Sequence, residues 1–198
     1  MYSWVVRLIE QSGYLGVGFL MFLETLFPPI PSEVIMPVAG LTAAHGKLQL
    51  WLVILSGTAG AMLGNIFWYL AARALGVERL RPLVRRYGRW LTVNWKEVER
   101  AHRWMDRHGS AFVLLGRLVP AVRSLVSIPA GLLKFSFRRF LLASTLGTLA
   151  WTALLAGAGF RLKSDFLQIE QFIAPIADFI LLIMVVAYLW RLATHKSH

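Results

Sequence analysis

The sequence predicts an all-α polytopic membrane protein, arranged as an inverted repeat with two re-entrant helical hairpins facing each other. Three observations predict it. Of 198 residues, 57% are apolar and 16% charged, with a mean hydropathy of +0.60. That is more apolar surface than a soluble domain of this size can hide. Two uncharged runs, Leu48 to Ala72 and Phe140 to Phe160, match the ~20 apolar residues that cross a bilayer core. Two prolyl knots interrupt the apolar text, and both carry charge. Six of the eight prolines (Pro28, Pro29, Pro31, Pro37, Pro120 and Pro129) lie in or just after them.

The elements follow in order. Arg7 and Glu10 interrupt the opening stretch where a signal peptide would need continuous apolar residues, so it is expected to stay in the mature protein. Gly13 to Leu23 is apolar and runs into the first knot, Glu24-Thr25-Leu26-Phe27-Pro28-Pro29-Ile30-Pro31-Ser32-Glu33. The span Leu48–Ala72 follows. Residues 77–110 hold nine basic and four acidic side chains. Within them Val93 to His108 reads as a helix, with Asn94 and Glu97 as a capping box and Trp90, Trp95 and Trp104 suited to an interface. A membrane-surface helix and a plain connecting helix both fit. The second knot reads Gly116-Arg117-Leu118-Val119-Pro120-Ala121-Val122-Arg123-Ser124, and the span from Phe140 comes next. A last, weaker span, Phe172 to Trp190, contains Pro175 and Asp178. The whole is expected to be one integral membrane domain, 1–198. It divides into a first repeat with its hairpin (10–76), a basic cytoplasmic connector (77–110), a second repeat with its hairpin (111–160) and a C-terminal span and tail (161–198).

The repeat is visible as text. Pro28, Ser32, Val34 and Pro37 align with Pro120, Ser124, Val126 and Pro129 at a constant offset of 92. Gly64, Trp68 and Gly76 align with Gly147, Trp151 and Gly159 at an offset of 83. Each half is a knot, a loop and a long span, and in each span the glycine and tryptophan share a face. The net charge of +11 flanks the spans, as cytoplasmic segments do under the positive-inside rule, and does not form a nucleic-acid surface. With 77–110 inside, the first knot folds back from the outer face and the second from the inner face. Broken backbone in lipid survives only when buried in protein or lining a cavity. Paired broken segments in corresponding halves mark a transporter's central site.

The knots carry the candidate chemistry. A charge deep in a bilayer costs roughly 3 kcal/mol on insertion scales, so Glu24 and Glu33 are expected to take up and release protons. Capping of helix ends near the head groups is the plainer reading, and it suits Glu33. Arg117 and Arg123 cannot discharge, and their planar forks match phosphate or carboxylate at two points. A resting ion pair with the two acids is compatible with anion binding, because a carboxylate that takes a proton frees its arginine. Ser32, Ser124 and Ser127 can add neutral hydrogen bonds. Asn65, mid-span, reads as a helix–helix hydrogen bond, and Asp178 similarly. The chain has no cysteine, its five histidines show no metal spacing, and no phosphate-loop, zinc or nucleophile-elbow motif is present. No metal, cofactor or catalytic residue is expected.

At these residues the chain resembles the DedA family, bacterial and archaeal members of the VTT (SNARE-associated) domain superfamily. The matching text is Phe22-Leu23-Glu24 through Pro31-Ser32-Glu33, then Gly116-Arg117-Leu118-Val119-Pro120 with Arg123-Ser124 and Pro129-Ala130-Gly131. Phe135-Ser136-Phe137-Arg138-Arg139 and the span Ser144 through Gly159 extend it. It covers roughly residues 10–160. Some members carry Asp after Gly where this chain has Ser32-Glu33. The resemblance implies a multi-pass protein of the inner (cytoplasmic) membrane; without an intramembrane histidine or an obvious nucleophile, no enzymatic activity is expected. It implies lipid movement across the bilayer, undecaprenyl phosphate or phosphatidylethanolamine, coupled to protons or sodium. On that resemblance Arg117 and Arg123 would bind the lipid and Glu24 and Glu33 would couple it to the ion, with Ser124 and Ser32, read from the sequence itself, adding hydrogen bonds to the lipid. The partners implied are a lipid and the bilayer, not nucleic acid, and a homo-oligomer is compatible with the sequence. A small-solute transporter, a lipid-phosphate enzyme and a membrane scaffold are the alternatives.

Overall fold

The computed structural model describes residues 2–27, 32–91, 95–119 and 122–162, and side chains within these except 2–4, 77–102, 106 and 162. The expected span Phe172–Trp190, Asp178, the tail, the tip prolines Pro28, Pro29, Pro31 and Pro120, and Asn94 lie outside the described residues. Among the described residues every element is helical. They are α1 (Tyr2–Leu26), α2 (Ser32–Ala44), α3 (Leu50–Leu91), α4 (Trp95–Arg117), α5 (Ser127–Leu132) and α6 (Phe137–Leu162).

Local chemistry sets the breaks. Gly13 interrupts α1 at φ 54°, a left-handed conformation that costs glycine nothing. Gly76 breaks α3 in the same way at φ 67°, where the apolar stretch Leu50–Gly76 gives way to basic text. The helix expected over 93–108 is the first part of a longer one. α4 continues through His108 to Arg117 and stops three residues before Pro120, which disfavours helix ahead of it. Pro37 stands inside α2, where it cannot donate to the carbonyl of Glu33 four residues earlier. Pro129 does the same to Leu125 at the start of α5.

The packing follows a pattern that survives exchange of α1–α3 for α4–α6. α1 lies on α3, and α4 lies on α6. α2 crosses to pack on α6, and α5 crosses to pack on α3. α3 and α6 meet between them. α1 with α2, and α4 with α5, form two helical hairpins. Glycine permits both crossings. A Cβ at Gly40 would run into the Ala156 carbonyl of α6, and one at Gly131 into the Tyr69 carbonyl of α3. The matched pair Gly64 and Gly147 sits in the long helices. A Cβ there would stand 2.7 Å from the Cβ of Thr25 and of Arg117, respectively.

The outside is apolar. Leu55, Leu63, Phe67 and Leu70 on α3, and Leu142, Leu146 and Leu154 on α6, are each at least half exposed. The buried set instead includes Glu24, Thr58, Asn65, Arg117, Arg123, Ser144, Thr148 and Thr152. Contiguous exposed apolar faces of this kind would drive a water-soluble chain to associate, and they suit contact with lipid. The apolar helices Leu50–Gly76 and Phe137–Arg161 are both long enough to span a bilayer.

Candidate functional site

The two knots meet. Glu24, near the end of α1, and Arg123, in the turn after α4, are 99 residues apart in sequence, and Arg123 Nη2 donates to Glu24 Oε1. Glu24 is 4% exposed and Arg123 7%. Glu33, in the first turn of α2, brings its Oε1 to 4.0 Å from Arg123 Nη2 and remains a quarter exposed. Thr25 Oγ1 lies 3.4 Å from Glu24 Oε2 and donates to the Met21 carbonyl at 2.9 Å. The Arg123 guanidinium also rests over the Trp151 ring, 5.7 Å from its centroid. Among the described residues its Nε and Nη1 take no protein acceptor.

Arg117 is held differently. It is 3% exposed, and all five of its N–H groups go to protein oxygens. Nη1 donates to Asn65 Oδ1 at 2.8 Å and to the Arg123 carbonyl. Nη2 donates to Ser127 Oγ at 2.7 Å and Ser144 Oγ at 3.0 Å, and Nε to Ser144 Oγ at 3.2 Å. Ser127 Oγ in turn donates to Asn65 Oδ1 at 3.2 Å. The Phe140 ring lies 5.8 Å beneath the guanidinium. Among the described residues no carboxylate pairs with Arg117. The expected balance of two acids against two bases is therefore lopsided: Arg123 faces both acids, while Arg117 sits in a cage of neutral acceptors from α3, α5 and α6.

A small cavity opens beside the ion pair. Glu24, Thr25, Ala61, Asn65, Arg117, Arg123, Ser124, Thr148 and Trp151 line it. Thus Glu24, Arg117, Arg123 and Ser124 come together as the sequence predicts, with Glu33 at the edge. Ser32 is fully buried at the start of α2, with no hydrogen-bond partner for its Oγ. Asn65 makes the helix–helix hydrogen bond expected of it, but to an arginine. Ser144 and Thr148 were not singled out by the sequence, and Trp151 only as the repeat partner of Trp68. A signal for the first two existed: Ser144, Thr148 and Thr152 recur every four residues, which draws a polar stripe down one face of an apolar helix. Thr152 uses that face to bridge to Thr58 of α3 at 2.8 Å.

Comparison with known proteins gives the family. The VTT domain profile matches residues 27–161. A Lactococcus lactis subsp. cremoris protein named alkaline phosphatase-like protein is 34% identical over 93% of this chain and 87% of its own length. Undecaprenyl phosphate transporter A of Staphylococcus aureus is 30% identical over 82% of this chain and 80% of its own length. The Bacillus subtilis protein of the same name is 26% identical over 93% and 89%. No solved structure matches the chain. With the profile running from within the first knot through the second and over both long apolar helices, the chain is a membrane protein that belongs to the VTT domain family, the one its paired charged motifs resemble.

Proposed function

We propose that this is a multi-pass protein of the cytoplasmic (inner) membrane that carries the anionic head group of a polyprenyl phosphate across the bilayer, with undecaprenyl phosphate the leading substrate. The observation that carries the reading is the buried Glu24–Arg123 pair, which joins the two hairpins at the edge of a polar cavity inside an apolar-coated bundle. The names of the Staphylococcus and Bacillus relatives support it.

The chemistry runs through exchange of partners. A carboxylate out of water keeps its charge only beside a cation. When Glu24 takes a proton, Arg123 loses its counter-ion and its fork turns to phosphate oxygens. When the proton leaves, Glu24 reclaims Arg123 and expels the anion. Glu33 is the second proton site, and it stands where the exposed edge admits water. Ser124 and Ser32 offer hydroxyls to the head group. Arg117 has no donor to spare in this arrangement, so its part is to hold the turn that presents Arg123. The two hairpins enter the bilayer from opposite faces as inverted repeats, and rocking of one against the other exposes the site alternately. The prenyl tail stays in the lipid throughout.

Reconstitution in liposomes tests this. Wild-type protein should translocate labelled polyprenyl phosphate, and Arg123→Ala should abolish it in a folded protein. Arg123→Lys should also impair it, because a point charge lacks the fork. Glu24→Gln should lose dependence on a proton gradient. Translocation that survives in folded Arg123→Ala sinks the assignment. Vesicles carrying labelled phosphatidylethanolamine, or a small anion without lipid, test the neighbouring transport readings. The Lactococcus name favours one other reading, phosphate-ester hydrolysis. Phosphate released from a prenyl phosphate by the purified protein would establish that reading instead.

A further inference from the structure

The two long helices carry matched tryptophans, and the match breaks at one atom. Trp68 Nε1 donates to the Thr25 carbonyl at 3.1 Å and closes α3 onto α1. Trp151 occupies the same place in the second half, yet its buried Nε1 has no hydrogen-bond partner among the described residues. One turn earlier on α6, Thr148 is 5% exposed, and its Oγ1 is also without a partner. Both residues line the cavity beside Arg123. A buried donor left unpaired costs roughly 1–3 kcal/mol, so two in one wall need an explanation.

From this we infer that Thr148 and Trp151 are head-group ligands: the Thr148 hydroxyl and the Trp151 indole N–H donate to the oxygens of a phosphate monoester engaged by Arg123. The inference deepens the transport reading and rests on it. The stereochemistry suits the anion. A tetrahedral phosphate offers several acceptor oxygens, and a monoester exposes three of them. Among the described residues Arg123 has no acceptor for Nε and Nη1, and α6 adds a hydroxyl and an indole N–H from one helical face. An indole N–H can only donate, so this part of the wall calls for an acceptor, which a phosphate oxygen supplies. Trp151 meanwhile keeps its ring under the Arg123 guanidinium, so loss of the N–H alone leaves that stacking in place.

The test measures binding of farnesyl phosphate and of inorganic phosphate to the purified full chain in detergent, with melting temperature read on the same samples. Thr148→Val and Trp151→Phe should each weaken farnesyl phosphate binding about tenfold or more, the scale of a hydrogen bond to a charged group. Thr148→Ser should bind as wild type. Trp68→Phe should bind as wild type too, because its N–H is already spent on Thr25. Thr148→Val should not lower the melting temperature of the unliganded protein, since it removes an unpaired polar group, and Trp151→Phe should lower it less than Trp68→Phe, which loses a made hydrogen bond as well as ring volume. An equal loss with inorganic phosphate supports the two donors and makes the free anion the source of the site's ligand. Wild-type affinity in both variants, with binding lost in Arg123→Ala, overturns this inference and leaves the transport reading standing. Wild-type affinity in Arg123→Ala overturns the transport reading itself. A wild type that binds neither probe overturns the inference.

Discussion

The first half of the molecule, α1–α3, and the second, α4–α6, use one scaffold for opposite ends. Thr25 and Arg117 stand at matched positions, each pressed against the matched glycine of its own long helix. In the first half this contact is closed by small groups: Thr25 bonds within α1, and Trp68 seals its carbonyl. In the second half the same place holds an arginine that reaches into α3, α5 and α6 at once. The matched knots differ likewise. The first brings Glu24 and Glu33 to the meeting point, and the second brings Arg123. A matched order of helix packing with unmatched charge creates an ion pair between the two halves. A perfect repeat would have placed like beside like.

The comparison can be broken most forcefully at its centre. Arg117→Ala should destabilise the folded protein by about 3–5 kcal/mol, because Asn65, Ser127, Ser144 and the Arg123 carbonyl all lose their donor in a buried site. In thermal unfolding in detergent this amounts to a fall of roughly 10 °C. Thr25→Ala, its counterpart, should cost only about 1 kcal/mol. If Arg117→Ala abolished transport and left the melting temperature untouched, Arg117 would be a substrate contact and the division of labour between the arginines would be wrong.

A smaller effect is expected at the glycines. Gly64→Ala and Gly147→Ala should each cost roughly 1–3 kcal/mol through overpacking. Gly147→Ala should lose more transport for the same loss of stability, because it pushes on the side chain that positions the Arg123 turn. Equal transport in the two variants at matched stability would show that the glycines serve packing alone. The smallest effect belongs to the tryptophans: both lose ring volume, and Trp68→Phe should lower stability by about 1 kcal/mol more than Trp151→Phe, because it alone also breaks a hydrogen bond. A matching loss in Trp151→Phe would mean that its N–H has a partner in the resting protein.

Much of this was legible because membrane burial makes text unambiguous. A charge or a proline inside apolar sequence is costly enough to stand out, so Glu24, Arg117 and Arg123 were visible as candidates. The offsets of 92 and 83 paired the halves before any coordinates. Asn65 was visible as a polar residue in a span, but its partner was not, because the arginine it serves arrives from another hairpin. Thr148 and Trp151 were illegible as a pair: threonine and tryptophan are ordinary in membrane helices, and their significance lies in an unpaired hydroxyl and N–H.

By itself the sequence determined that the chain is helical, rich in apolar residues and charged at two knots, since each of these follows from composition and periodicity. Only the tertiary structure decided which arginine faces the acids and which is caged by neutral oxygens. The reason is physical: hydrogen bonds are directional and short, and their partners here come from helices far apart in sequence, so crossing α2 onto α6 and α5 onto α3 sets the pairing.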